Sequence, residues 1–354
     1  MPATITRFVN TASTGGDGTT NNTSGATAAY ASLSAALTAQ ARNLVTADEI
    51  ALFLCSGSAA DTTAVLTGVW AGFVCDATRY VEVRPNTGQE HGGAWNTGVY
   101  RLETTDSSAL GLPAAAGAMF HVRVSGLQIR VIATTGTTSR RCFNGPVGIS
   151  VSSILDVKDC VLRCSKSGGT ATSHSAVILS DTQWATVLWR NNLILLDGTD
   201  VGQGVKRDAG INMYVHNCAV VGASVAYEDS LNNAAGTLQI KNSWAYQCTT
   251  FSAGAGVENG DYNSTDLAAA TGGANDRVNQ TFTFVNEAGG DYQLASTDTA
   301  ARGHGVDLSA DPNAPVTTDI NGDPVNSPPD IGPENAAENE EVIENRWRIR
   351  RAAA

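Results

Sequence analysis

The chain has 354 residues, of which 42% are hydrophobic and 16% charged, and carries a formal net charge of −12. The charged fraction falls below the roughly 25% of ordinary globular domains; Ala, Thr, Gly, Ser and Asn fill the difference, a composition suited to short strands and turns rather than long helices. The acidic balance argues against a duplex-binding face, no apolar run approaches the ~18 residues of a membrane span, and the seven cysteines lack paired metal spacing, so no nucleic acid, membrane or cofactor is expected.

In chain order, the opening MPATITRFVN has no basic region followed by an apolar run, and no secretory leader is expected. YASLSAALTAQARN (30–43) places Tyr30, Leu33, Leu37 and its alanines at helical spacing, with Ser32 or Thr27 as the cap. EIALFLC (49–55) and YVEVRP (80–85) read as strands. A helix ahead of them would cover the open end of a stack of strands.

Five later segments share one plan: FHVRVSGLQIRV (120–131), ILDVKDCVLRC (154–164), TVLWRNNLILL (186–196), MYVHNCAVVG (213–222) and LQIKNSWAYQ (238–247). Each is a short strand, a one-residue corner and a second short strand. The corners are Gly126, Asp159, Asn191, Asn217 and Asn242, residue types that tolerate the left-handed conformation of a sharp bend. They are spaced 33, 32, 26 and 25 residues apart, too close for a crossover helix. Alternation points Val124, Val157, Trp189, Val215 and Ile240 inward before the corner, and Leu127, Cys160, Asn192, Cys218 and Ser243 inward after it. The cysteines are then reduced core filler. Strands repeating at this interval stack as coils of a parallel β-helix; a β-sandwich also supplies short strands, but would not return one corner type in register.

The same alternation places Lys158, Arg190, His216 and Lys241 outward in a basic stripe. After the corner the outward face becomes apolar and aromatic through Leu195, Val221, Trp244 and Tyr246. Such a strip is expected to meet another copy, to be covered by the chain's own loops, or to bind sugar beside the stripe. Acidic residues in the loops after the third and fourth coils, Asp197, Asp200, Asp208, Glu228 and Asp229, are the candidates for a hydrolytic pair, with surface solvation as the plainer role. No phosphate loop, Rossmann fingerprint, nucleophile elbow or paired-histidine motif occurs.

TDINGDPVNSPPDIGPE (318–334) spaces Asp319, Asn321 and Asp323 as in a calcium loop. Yet Pro324 stands where that loop needs glycine, and the following prolines exclude its exiting helix, so it reads better as the stopper of a solenoid. The tail runs from acidic to basic, as suits a short helix, with Ile343, Trp347, Ile349 and Arg350 expected to dock on a neighbouring subunit or larger assembly. These readings divide the chain into an N-terminal extension with capping helix (1–48), a parallel β-helix (49–260), C-terminal coils and cap (261–334) and a tail (335–354).

DYNSTD (261–266), TFVNEAGGDYQLASTDTAARGHGVDLS (283–309), DINGDP (319–324) and DIGPE (330–334) resemble the C-terminal part of right-handed parallel β-helix repeat proteins of the pectate-lyase-like class. The opening TRFVNTASTGGDGTT (6–20) resembles the start of β-helix proteins encoded by bacteriophages. The pattern departs at Val325 and Pro333, where the family carries a basic and an aromatic residue. The resemblance implies an all-β, right-handed solenoid. Its expected role is structural, on the outside of a virion as a decoration, spike or fibre protein: a homo-oligomer, a trimer first, beside other virion proteins and in reach of host polysaccharide. A tailspike-like depolymerase and a non-catalytic adhesin are the other readings, because the scaffold alone does not name a function.

Overall fold

The computed structural model describes residues 1–112, 120–134, 140–145, 153–166, 174–179, 184–197, 202–208, 211–230, 236–254 and 260–335. Among them the five corners bend as the residue types require: φ is +66° at Gly126, +56° at Asp159, +52° at Asn191 and Asn217, and +48° at Asn242. Tyr262, at +56°, extends the column by one coil, which the alternating pattern did not reveal.

Either side of each corner the strands belong to two different sheets. The first runs, in stacking order, Ala3–Asn10, Glu49–Ser56, Val81–Pro85, His121–Ser125, Ser153–Lys158, Trp184–Arg190, Asn212–His216 and Leu238–Lys241. The second follows the corners, from Ala60–Asp61 through Arg101–Thr105, Gln128–Ala133, Val161–Lys166, Leu193–Asp197, Ala219–Val221 and Trp244–Tyr246 to Ser264–Thr265. A third sheet, from Leu110–Gly111 to Thr250–Gly254, closes the cross-section. The described ladders of all three sheets are parallel. The chain is therefore an all-β parallel β-helix.

Register turns the repeat into continuous columns. Val83, Val124, Val157, Trp189, Val215 and Ile240 stack in the first sheet and are fully buried. Leu102, Ile129, Leu162, Ile194, Val220 and Ala245 do the same in the second. Across the interior the Phe143 ring meets Trp189 edge to face at 5.3 Å, a geometry favoured by the aromatic quadrupole. Polar side chains are also built into this core, Asn192 among them. Asn192 Oδ1 accepts from the Cys160 amide and its Nδ2 donates to Val157 O, both at 3.0 Å, so the side chain ties two coils while leaving nothing unpaired.

Both ends are covered. A helix, Leu33–Gln40, is capped by Ser32, whose hydroxyl accepts from the Ala35 amide at 3.2 Å, and buries Leu33, Ala36 and Leu37 over the first coils. At the other end residues 266–280 fold across the last coil, with Leu267 and Ala270 packed on the core.

Three features went unforeseen. Ala3–Asn10 is a strand paired along its length with Glu49–Ser56, so the solenoid begins well ahead of residue 49. A second short helix, Leu44–Ala47, capped by Asn43, precedes that strand. The third sheet has no recurrent corner residue to announce it. The segment 319–334 also differs from a stopper, because it lies along the flank of the solenoid rather than across its end.

Candidate functional site

The basic stripe exists in register but is largely spoken for. The chain returns from the last coil and climbs the corner column in a strap. Asn242 Nδ2 donates to Val306 O at 2.7 Å, and its Oδ1 accepts from the Val306 amide at 3.0 Å. Lys241 then pairs with Asp311 at 2.8 Å. His216, with no exposed surface, lies between the Ala314 carbonyl and the Gln239 amide. Burial lowers its pKa below the ordinary imidazole value, so it is neutral at pH 7. Arg190 chelates Asp156 at 2.6 and 2.7 Å and donates to Pro315 O, and Asn191 donates to Thr318 O at 2.7 Å. Lys158 keeps an exposed edge beside Asp159. The corner amides thus hold the strap as well as the bends.

The apolar strip is covered in the same way, by the chain itself. Leu195, Val221 and Trp244 pack with Phe282, Leu294, Ala301, Ile320 and Ile331 in a second core outside the second sheet. Trp244 is 1% exposed and lies 5.5 and 5.6 Å from the Phe282 and Phe284 rings. Tyr246 keeps partial exposure, and its hydroxyl donates to Glu287 at 2.9 Å. Of the three fates expected for this strip, loop cover is the one observed; Trp244 is no open stacking platform for a sugar, nor do Leu195 and Val221 face a second chain. Higher up, Gln128 exchanges two bonds with the Asn96 backbone, seating the loop that carries Trp95 against the same cluster.

The four described candidate carboxylates each meet a cation. Asp197 accepts from Arg163 at 2.5 Å and from Ser165 at 3.0 Å. Asp208 and Glu228 share the Lys206 ammonium at 3.3 Å each, and Asp229 is paired with Arg207 in the interior. Asp200 and the tail residues Ile343, Trp347, Ile349 and Arg350 lie outside the described residues. The geometry brings Asp208 and Glu228 together, but around a lysine and not around a space for water and a glycosidic oxygen, as paired-carboxylate hydrolysis requires.

DINGDP forms a turn and not a calcium loop. Asp319 Oδ1 accepts from the Asn321 and Asp323 amides at 2.9 Å, and Oδ2 from Asn335 Nδ2 at 3.2 Å. Its oxygens therefore face N–H donors, whereas calcium needs a shell of oxygens. Among the described residues no group of three or more His, Cys, Asp or Glu is arranged to hold a metal.

Two further features escaped the sequence reading. Glu334, 7% exposed, lines a pocket of ≈10 Å³ with Gly93, Leu193, Trp244, Tyr292, Leu294 and Pro333. Its neighbour His91 is buried, with Nε2 donating to Asp159 O at 2.8 Å and Nδ1 accepting from the Gly93 amide. No spacing signal marks either residue. At the last coil, Tyr262, Asn275, Arg277, Gly303, His304 and Gly305 line an open cleft of ≈360 Å³.

Compared with known proteins, the chain matches no family model, no curated protein and no solved structure.

Proposed function

We propose that this chain is a non-catalytic structural β-helix of a bacteriophage particle, displayed on the capsid or tail as a decoration, spike or fibre protein and working as a homo-oligomer. The observation that carries the reading is the strap: the apolar outer face of the second sheet is covered by side chains from residues 282–331. The resemblance of 6–20 to the start of phage-encoded β-helix proteins suggests the particle. Virions purified from the host that carries the gene, digested and sequenced by mass spectrometry, are expected to contain the chain at a stoichiometric copy number. Its absence from particles that carry their other structural proteins would overturn the reading. Release of reducing ends from host capsule or lipopolysaccharide would favour the depolymerase instead.

A second reading, an adhesin, has one observation of its own. The cleft at Tyr262, Arg277 and His304 offers an aromatic ring and polar groups in an open space, the elements of a saccharide site. Glycan-array binding that Arg277→Ala abolishes would support it.

A further inference from the structure

The far end of the strap is held by backbone bonds from Ile331 to Ala301 and from Gly332 to Asn242, by the Asn335 side chain on Asp319 and Pro324, and by one buried carboxyl. Glu334 is the last residue but one of the described chain and turns its side chain inward, against the backbone of Gly93. A Cβ placed on Gly93 would stand 1.5 Å from Glu334 Oε1, so this approach requires glycine, and φ of +79° requires it again. Among the described residues the carboxyl accepts one hydrogen bond, from Asn321 Nδ2, at a long 3.3 Å. The rest of its wall is Leu193, Trp244, Tyr292, Leu294 and Pro333, and the ≈10 Å³ left over holds at most one water. The indole N–H of Trp244 makes no hydrogen bond to it.

Among the described residues the charged neighbours are of the wrong sign for a carboxylate. Asp319 faces it from the turn below, with Asp323 beyond, and Asp291 faces it from the strand that carries Tyr292. From the loop side His91 is neutral, held so by burial, next to Glu90. Burial first, then Asp319 and Asp291, push the Glu334 pKa well above the usual carboxyl range. Asp319 is itself raised to about 6 by burial, against the N–H donors that favour its charged form.

We infer that Glu334 is an acid-closed latch: protonated, it fills the pocket and helps hold the end of the strap on the loop at Gly93; ionised, it meets little solvent and no cation among the described residues, and its hold on that loop weakens. The direction follows from linkage. A carboxyl that prefers its proton when docked leaves docking intact below its free value, about 4.3, and weakens it steadily as pH rises toward the docked value. This holds whether or not the chain belongs to a virion.

Hydrogen exchange of the full-length protein tests it. Across a series from about pH 5 to about pH 8, corrected for intrinsic exchange, protection of a peptide spanning 328–335 is expected to fall by up to about tenfold per pH unit, while a core peptide spanning 238–246 stays constant. Glu334→Gln, which keeps the Asn321 bond and cannot ionise, is expected to be flat above about pH 6, leaving only the fall that Asp319 contributes below it. Asp319→Asn is expected to end the fall at a lower pH and make it smaller, since it lowers the docked value and leaves the free one unchanged. A wild-type profile without the fall, or the same fall in Glu334→Gln, overturns the latch; should that variant not fold, the wild-type and Asp319→Asn profiles decide.

Discussion

Arg207 and Asp229 face each other across adjacent strands of the third sheet, bonded through Nη2 and Oδ2, with no solvent at either side chain. Arg207 Nη1 also donates to Ile211 O at 2.7 Å. Such a pair recovers its desolvation cost only while both partners are present. Arg207→Met alone is expected to cost about 3–5 kcal/mol, and adding Asp229→Leu to restore most of it. Denaturant midpoints of the three proteins give the comparison.

Asn217 holds a φ of +52° and is almost fully buried. Asn217→Gly keeps that backbone available and is expected to stay within about 1 kcal/mol of the parent, whereas Asn217→Val adds a β-branched clash with the left-handed bend and loses roughly 1–2 kcal/mol or more. Thermal unfolding ranks them, and equal losses would mean that the corner is set by its neighbours and not by the residue.

Asn192 presents a different cost. Replacing it with Leu keeps the volume but strands the Cys160 amide and the Val157 carbonyl, at about 1–3 kcal/mol for each group. Asn192→Asp buries a carboxyl whose charge has no cation, so its loss is expected to be greatest at neutral pH and to shrink in acid as the group takes up a proton. Stability curves for the two variants at two pH values separate packing from charge.

Trp244→Ala removes the floor on which Phe282 and Phe284 rest. The loss is expected near 3–5 kcal/mol, concentrated in the strap, because the inward neighbour Ala245 is untouched. Limited proteolysis should then cut within 282–334 while leaving a resistant core; a uniform increase in cleavage would place Trp244 in the stability of the whole solenoid.

Much of the solenoid was legible because each coil repeats the same test. Val157, Cys160 and Leu162 could be placed inward from one alternation, and Asp159, Asn191 and Asn217 shared a chemistry that only a tight bend explains. The strap was not legible. Its bonds to Arg190, Asn191 and His216 end on the backbone carbonyls of Pro315, Thr318 and Ala314, up to 127 residues away, and a carbonyl carries no residue signature. An outward Trp244 therefore looked like an unfilled surface when its partners lay further down the chain. Glu334 was invisible for a related reason: among many acidic residues, only the closing of the pocket around it distinguishes a buried carboxyl from a solvated one.

The strap also imposes an order in time. A ribosome delivers the strip formed by Leu193, Leu195, Val221 and Trp244 well before it delivers Phe282, Ile320 and Ile331, and the Gln293 bond to Gly92 O closes a separation of 201 residues. Coils can add one upon another as they emerge, since each rests on its predecessor, but the flank stays sticky until the final segment arrives. The nascent chain thus passes through a stage that is folded yet adhesive, and chaperones or neighbouring nascent copies have their opportunity in that interval.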